Sequence, residues 1–184
     1  MKLLFPLILL ALLSTFARAG DLAVSAKEPI HVTAPDQWTA ALDKSPEAAA
    51  SPFPTYRVTP PANRNAACLI SIFDKDKAEF ATAPFLKKLL RGDSRPYVAN
   101  PADLAKLEFK EIKIAGGLGY YANFVDPDLV GKPVKKGTFK TATPIILSIG
   151  SQYLIKATIL TNDLTGADYR DLIKIVESIK IKKD

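Results

Sequence analysis

Reactive side chains are scarce in this chain. Its 184 residues include one cysteine, one histidine, one methionine and one tryptophan. A single cysteine, Cys68, excludes an intramolecular disulfide, so stability has to come from the core. Zinc takes about three or four His, Cys or carboxylate ligands, which leaves His31 and Cys68 too few for a transition-metal site, and no metal or cofactor is expected. Both lie in strand-like stretches with other duties, which argues against a Cys–His catalytic pair. There is no Gly-x-Ser-x-Gly elbow to hold a strained nucleophile and no Gly-x-x-x-x-Gly-Lys-Ser/Thr phosphate loop. The apolar run from Leu3 to Leu13, interrupted only by Pro6, is about eleven residues where a membrane-spanning helix needs roughly twenty. A concentrated basic stripe is missing too. The formal net charge of +6 is spread among acids, and only Lys132, Lys135, Lys136 and Lys180, Lys182, Lys183 form small groups, which read as solvated charge rather than a nucleic-acid footprint.

What the chain does carry begins with an address. Lys2 supplies a positive start, the Leu3–Leu13 run an apolar centre, and Ala17-Arg18-Ala19 the small-x-small pattern of a signal-peptidase site. The expectation is a leader over 1–19, cleavage near Ala19, and a periplasmic or secreted protein with no transmembrane anchor. No cysteine stands near the cleavage point for lipid attachment. Residues 20–184 fit the usual size of one domain.

Periodicity predicts the elements. After a frayed start over 20–27, Ile30-His31-Val32 alternates as a short strand. Residues 38–42 are assigned a helical turn, and the prolines at 46, 52 and 54 make the next stretch a loop. Tyr56 to Thr59 and Ala66 to Phe73 read as strands joined by a turn at 63–65. In the second of these, Cys68 shares a face with Ile70 and Ile72, the setting of a buried, inert thiol. Phe85, Leu86, Leu89 and Leu90 place a helix over Pro84 to Arg91, with Gly92 as its C-terminal cap. Leu107 to Ile114 changes phase, which calls for a bulge or a late strand start, and the glycines at 116, 117 and 119 mark a hairpin turn.

The strongest signal follows. Phe139, Thr141, Thr143, Ile145, Leu147 and Ile149 hold one parity, and Tyr153, Ile155, Ala157, Ile159 and Thr161 another, with Gly150-Ser151 between them. This is a long antiparallel hairpin, with Pro144 at a bend or on an edge. Tyr169, Leu172, Ile173, Val176 and Ile179 recur at helical spacing, with Thr165 and Asp168 as a near capping box. The fold class is α+β, a curved antiparallel β-sheet flanked by helices.

The stretch Ile30-His31-Val32-Thr33-Ala34-Pro35 leading to Trp38, the Gly117-Leu118-Gly119-Tyr120-Tyr121 step, the Ile145–Asp163 hairpin and the helix ending at Ile179 together resemble the family of the photosystem II extrinsic subunit PsbP and the bacterial envelope protein DcrB. The resemblance spans nearly the whole chain after the leader and implies a noncatalytic helper or binding module of the cell envelope. DcrB proteins are lipoproteins and PsbP serves an oxygen-evolving machinery, and neither feature has a counterpart in these residues.

Aromatic residues are the remaining site candidates. Trp38, Tyr97, Tyr121 and Tyr153 offer flat faces and hydroxyls suited to gripping an envelope protein partner or a small apolar ligand through one face of the sheet. Adjacent Tyr120 and Tyr121 must point to opposite faces, so at most one of them belongs to any single cleft. Asn123, Asp126 and Asp128 lack the spacing of a calcium loop, and Asp126-Pro127-Asp128 reads as a turn. The alternative function is a cell-envelope hydrolase, using a carboxylate pair such as Asp126 and Asp128 or a serine within reach of His31.

Overall fold

The computed structural model describes residues 20–25, 30–49, 53–62, 64–74 and 78–182. The leader over 1–19, and Asn63 of the expected turn, lie outside them. The strands are β1 (Gly20–Ala23), β2 (Ile30–Ala34), β3 (Thr39–Leu42), β4 (Thr55–Thr59), β5 (Ala67–Asp74), β6 (Lys110–Ile114), β7 (Gly117–Tyr121), β8 (Phe124–Val125), β9 (Thr141–Ile149), β10 (Tyr153–Thr161) and β11 (Lys180–Ile181). The α-helices are the single turn α1 (Pro46–Ala49), α2 (Ala83–Asp93) and α3 (Ala167–Glu177).

The β9–β10 hairpin is the centre of an antiparallel sheet ordered β3-β4-β5-β10-β9-β7-β6, with β8 pairing β9 past the end of β7. Two glycines in the left-handed region close the neighbouring hairpins, Gly116 at φ 72° and Gly150 at φ 56°, a conformation that costs glycine little. Their turns meet, since the Gly150 N–H donates to the Gly116 carbonyl at 3.1 Å. A second, small sheet, β1-β2-β11, packs with α3 over one face of the main sheet.

Strand parity divides the side chains between two layers. On the α3 side lie Ile70, Ile145, Leu147, Ile155 and Ile159, sealed by Ile30 and Val32 of the small sheet and by Leu172, Ile175, Val176 and Ile179. Each of these is buried and contributes roughly 1.5–3 kcal/mol of apolar transfer. On the other face α2 sets Leu86 and Leu90, one turn apart, against Tyr120 and Ile146. α2 contacts β7 and β9. The half of this face formed by β3, β4 and β5 carries hydroxyls instead, with Thr39 bonded to Thr59 at 3.1 Å and Thr55 to Ser71 at 2.8 Å, as suits an antiparallel sheet wet on one side.

Several local expectations are corrected. Gly20–Ala23 is not frayed but pairs with β2 from Gly20↔Ala34 to Ala23↔His31, because β2 has a free edge there. Residues 39–42 form a strand against β4, with Thr39↔Thr59 through Leu42↔Tyr56. Tertiary pairing overrides the helical preference of Ala40 and Ala41. The 46–54 loop contains the turn α1, with Pro46 at its start, where a missing N–H costs nothing. α2 runs through Gly92 to Asp93, and Ser94 caps it, its N–H donating to the Leu90 carbonyl. α3 takes Gly166 as its N-cap, without a side-chain cap. Thr165 instead donates its hydroxyl to Asp163 at 2.7 Å, and Asp168 is drawn away by Arg64.

The phase change before β6 is a late strand start at Lys110. Pro144 is on no edge, since β9 lies between β10 and β7. Its missing N–H faces Ala122, whose own N–H donates to the Pro144 carbonyl at 3.3 Å. The half-made rung is where the neighbouring strand divides into β7 and β8.

Candidate functional site

Pro96 prevents α2 from continuing, and the chain turns through a 3₁₀ segment at Arg95–Tyr97. There the Tyr97 N–H donates to the Ser94 carbonyl at 3.0 Å. This turn swings Tyr97 back across the sheet beyond the end of α2. Its ring stacks on Phe124 of β8, with centroids 5.3 Å apart and planes 24° apart. Phe124 sits opposite Ala142, and Ala142 opposite Leu160, so three neighbouring strands supply a floor of one parity.

Between that floor and the 96–99 segment lies a groove of about 420 Å³, within the range of small-molecule sites. Phe139, Asp126 and Lys140 complete its lining. Tyr97 remains 38 % exposed, which leaves apolar surface on the rim uncovered. Burial pushes the Tyr97 hydroxyl above its ordinary value, and the Asp93 charge adds to this. Asp93 itself lies 2.9 Å from the Lys156 ammonium, in a contact without hydrogen-bond geometry.

The main sheet separates the four aromatic candidates. Tyr97 lines the groove. Trp38, 5 % exposed, belongs to the α3-side core, with the Arg64 guanidinium 5.1 Å above its ring. Arg64 also bridges Asp168 and Asp171 on α3. Tyr153 is buried in that same core, its hydroxyl accepting from Gln152 at 3.0 Å. Tyr121 packs against this core as well, its hydroxyl raised by burial and by neighbouring Tyr169 and Glu177. Tyr120 faces α2, opposite to Tyr121, as strand parity requires.

Phe124, Phe139, Lys140, Ala142 and Leu160 line the groove, and the sequence alone does not single them out as site residues. Parity along the hairpin places Ala142 and Leu160 on the face opposite the main core, which is the available signal. Tyr97 reaches them only through a turn that no periodicity encodes.

The groups invoked for hydrolysis are dispersed. Asp126 Oδ1 accepts the Asp128 N–H at 2.9 Å, so this pair is the expected turn, and of the two only Asp126 lines the groove. His31 lies in β2, in the small sheet on the α3 side. Asn123 is occupied by Thr143 at 2.9 Å and Tyr169 at 3.0 Å. Among the described residues no three His, Cys, Asp or Glu side chains converge as a metal site, and no helix is long and apolar enough to cross a membrane.

No family model and no curated protein matches the chain by sequence. Solved structures resemble it in shape. The solution structure of cyanobacterial PsbP (CyanoP) from Synechocystis superposes with a TM-score of 0.53 at 12% identity, covering 92% of this chain and 95% of that one. A crystal structure from Bacteroides thetaiotaomicron gives a TM-score of 0.49 at 11% identity, covering 85% of this chain, which spans 46% of that one. The CyanoP likeness establishes a PsbP-like fold, and at such identity it speaks of fold alone.

Proposed function

We propose that residues 20–184 form an exported, noncatalytic binding or accessory module of the cell envelope, which holds a small, largely apolar ligand in the groove beneath Tyr97. The observation that carries this reading is the groove itself: a volume of about 420 Å³ with Tyr97, Phe124, Ala142 and Leu160 around it, on one face of the sheet. A stacked aromatic pair, Tyr97 on Phe124, beside Ala142 and Leu160 binds by excluding water from apolar surface. The PsbP-like fold is consistent with an accessory role, and the leader pattern over 1–19 supports export.

The test is a thermal-stability screen of the chain beginning at Gly20 against envelope lipids and small apolar compounds, run beside affinity capture from the envelope fraction. A ligand present at about a hundred times its Kd stabilises the fold by about 2.7 kcal/mol, a readily measured rise in Tm, and Tyr97→Ala removes that rise. Recovery of a ligand-free monomer whose Tm no compound moves overturns the proposal.

A further inference from the structure

The lining of the groove carries two opposite charges that form no ion pair with each other. Val125 pairs with Thr141 in register, and the next rung is held by the Asp126 N–H donating to the Lys140 carbonyl at 2.8 Å. Asp126 and Lys140 are therefore cross-strand neighbours. They share the parity of Phe124 and Ala142, and both line the groove. Such neighbours have Cβ atoms about 5 Å apart, and an acid and a lysine at that spacing ordinarily close into an ion pair. Among the described residues Lys140 takes part in no ion pair. One oxygen of Asp126 is held by the Asp128 N–H at 2.9 Å, which fixes the carboxylate and leaves its second oxygen free of the turn. An acid and a lysine on neighbouring strands thus line the same groove as Phe124, Leu160 and Tyr97 without closing on each other.

Resting on the groove reading above, we infer that the ligand is a free α-amino acid with an aromatic or branched aliphatic side chain. Its apolar side chain fills the groove between Tyr97 and Leu160, its ammonium meets Asp126, and its carboxylate meets Lys140. A purely apolar ligand leaves both charges unanswered. A simple anion or cation meets one of them and is repelled by the other. A zwitterion with both charged groups on one carbon answers both members of the cross-strand pair, and the groove of about 420 Å³ has room for one such molecule.

The experiment titrates the chain beginning at Gly20 with L-phenylalanine, L-tryptophan and L-leucine by calorimetry and ligand-observed NMR, up to about 10 mM. In parallel it uses phenethylamine, which lacks the carboxylate, 3-phenylpropionate, which lacks the ammonium, and neutral indole. Saturable binding of at least one amino acid is expected, weakened about fivefold on deleting either charge, the worth of a half-exposed ion pair. Lys140→Met should abolish the preference for phenylalanine over phenethylamine. Asp126→Asn keeps an oxygen for the Asp128 N–H and should abolish the preference over 3-phenylpropionate. The ligand analogues test the same point without any substitution.

Amino acids that bind no better than their charge-deleted analogues, or that fail to bind while indole binds in a Tyr97-dependent way, overturn this inference and leave the groove reading standing. Absence of binding by every probe, together with an empty affinity capture, overturns both.

Discussion

Two residues show most clearly how position decides chemistry. Cys68 has no exposed surface and sits within the α3-side core beside Ile70. Burial pushes its thiol up to about 12, so almost no thiolate exists at neutral pH. The expected outcome is that an aromatic disulfide reagent labels no thiol in the native protein and one per chain in denaturant; native labelling at a rate comparable to free cysteine would contradict the packing. Gly119 is the second case. A Cβ there would lie 2.6 Å from Ile112 Cγ2 and 2.6 Å from Leu147 Cβ, both in well-packed strands. Gly119→Ala should lower stability by about 1–3 kcal/mol through overpacking, read as a shift in the denaturant midpoint at unchanged slope. A glycine that looks like part of a turn in the sequence is where β7 passes close to side chains of both its neighbours, β6 and β9. The candidate site shows the same limit of reading. Tyr97 is legible as an aromatic outside the regular elements, whereas Trp38, Tyr121 and Tyr153 look equivalent to it in the sequence and face the other layer.

At the level of elements, capping and pairing reveal what periodicity cannot. The apolar spacing of α2 is evident from Phe85 to Leu90, but its end is not, because glycine stops a helix only where the following chain turns left-handed. Here Gly92 stays helical, and a Cβ added to it would meet nothing within 4 Å. Gly92→Ala should therefore stabilise the protein by about 0.5–1 kcal/mol; a loss of stability would restore the capping role. The end of β3 is tied to β4 by Arg57, whose guanidinium meets Asp43 at 2.9 Å, the Asp43 side chain being 6 % exposed. Burial raises the Asp43 carboxyl, but the Ser45 N–H and Arg57 outweigh it, and its value falls below the ordinary 3.8. Asp21 and Asp163 are lowered as well, by Lys180 with Thr33 and by Thr165. A depressed carboxyl binds protons less readily folded than unfolded, so its stabilisation is fully present above the unfolded value and is lost as pH falls through the folded one. Stability should drop below about pH 3.8. Asp43→Asn should cost stability at neutral pH, and the gap from wild type should close in acid, measured by urea unfolding across pH.

For the whole molecule, the two sheets and α3 share one core, and the small sheet depends on both ends of the described chain. β1 starts at Gly20 and pairs with β2, β11 pairs with the other edge of β2, and Lys180 meets Asp21 at 3.0 Å. Cleavage before Gly20 would leave β1 whole. Expressed from Gly20, the protein should fold with a cooperative transition, and the exported form should show Gly20 first on N-terminal sequencing. Removing residues 20–24 also removes Val24, 1 % exposed, and should lower Tm by several degrees through loss of its apolar contacts. An unchanged Tm would mean that β1 is dispensable.

What the sequence determined by itself is local: the β9–β10 hairpin, the apolar faces of α2 and α3, the buried Cys68 and the α+β class. Each is written in alternation or helical spacing, which depends only on which side of one element meets water. What the tertiary structure alone decided is relational. It paired Gly20–Ala23 and Thr39–Leu42 as strands, because an open strand edge outweighs weak local preference. It set the Pro144 gap opposite Ala122. It also placed Tyr97 over Phe124 and brought Asp126 beside Lys140 at one groove, because residues far apart along the chain become neighbours only once the sheet has fixed its register.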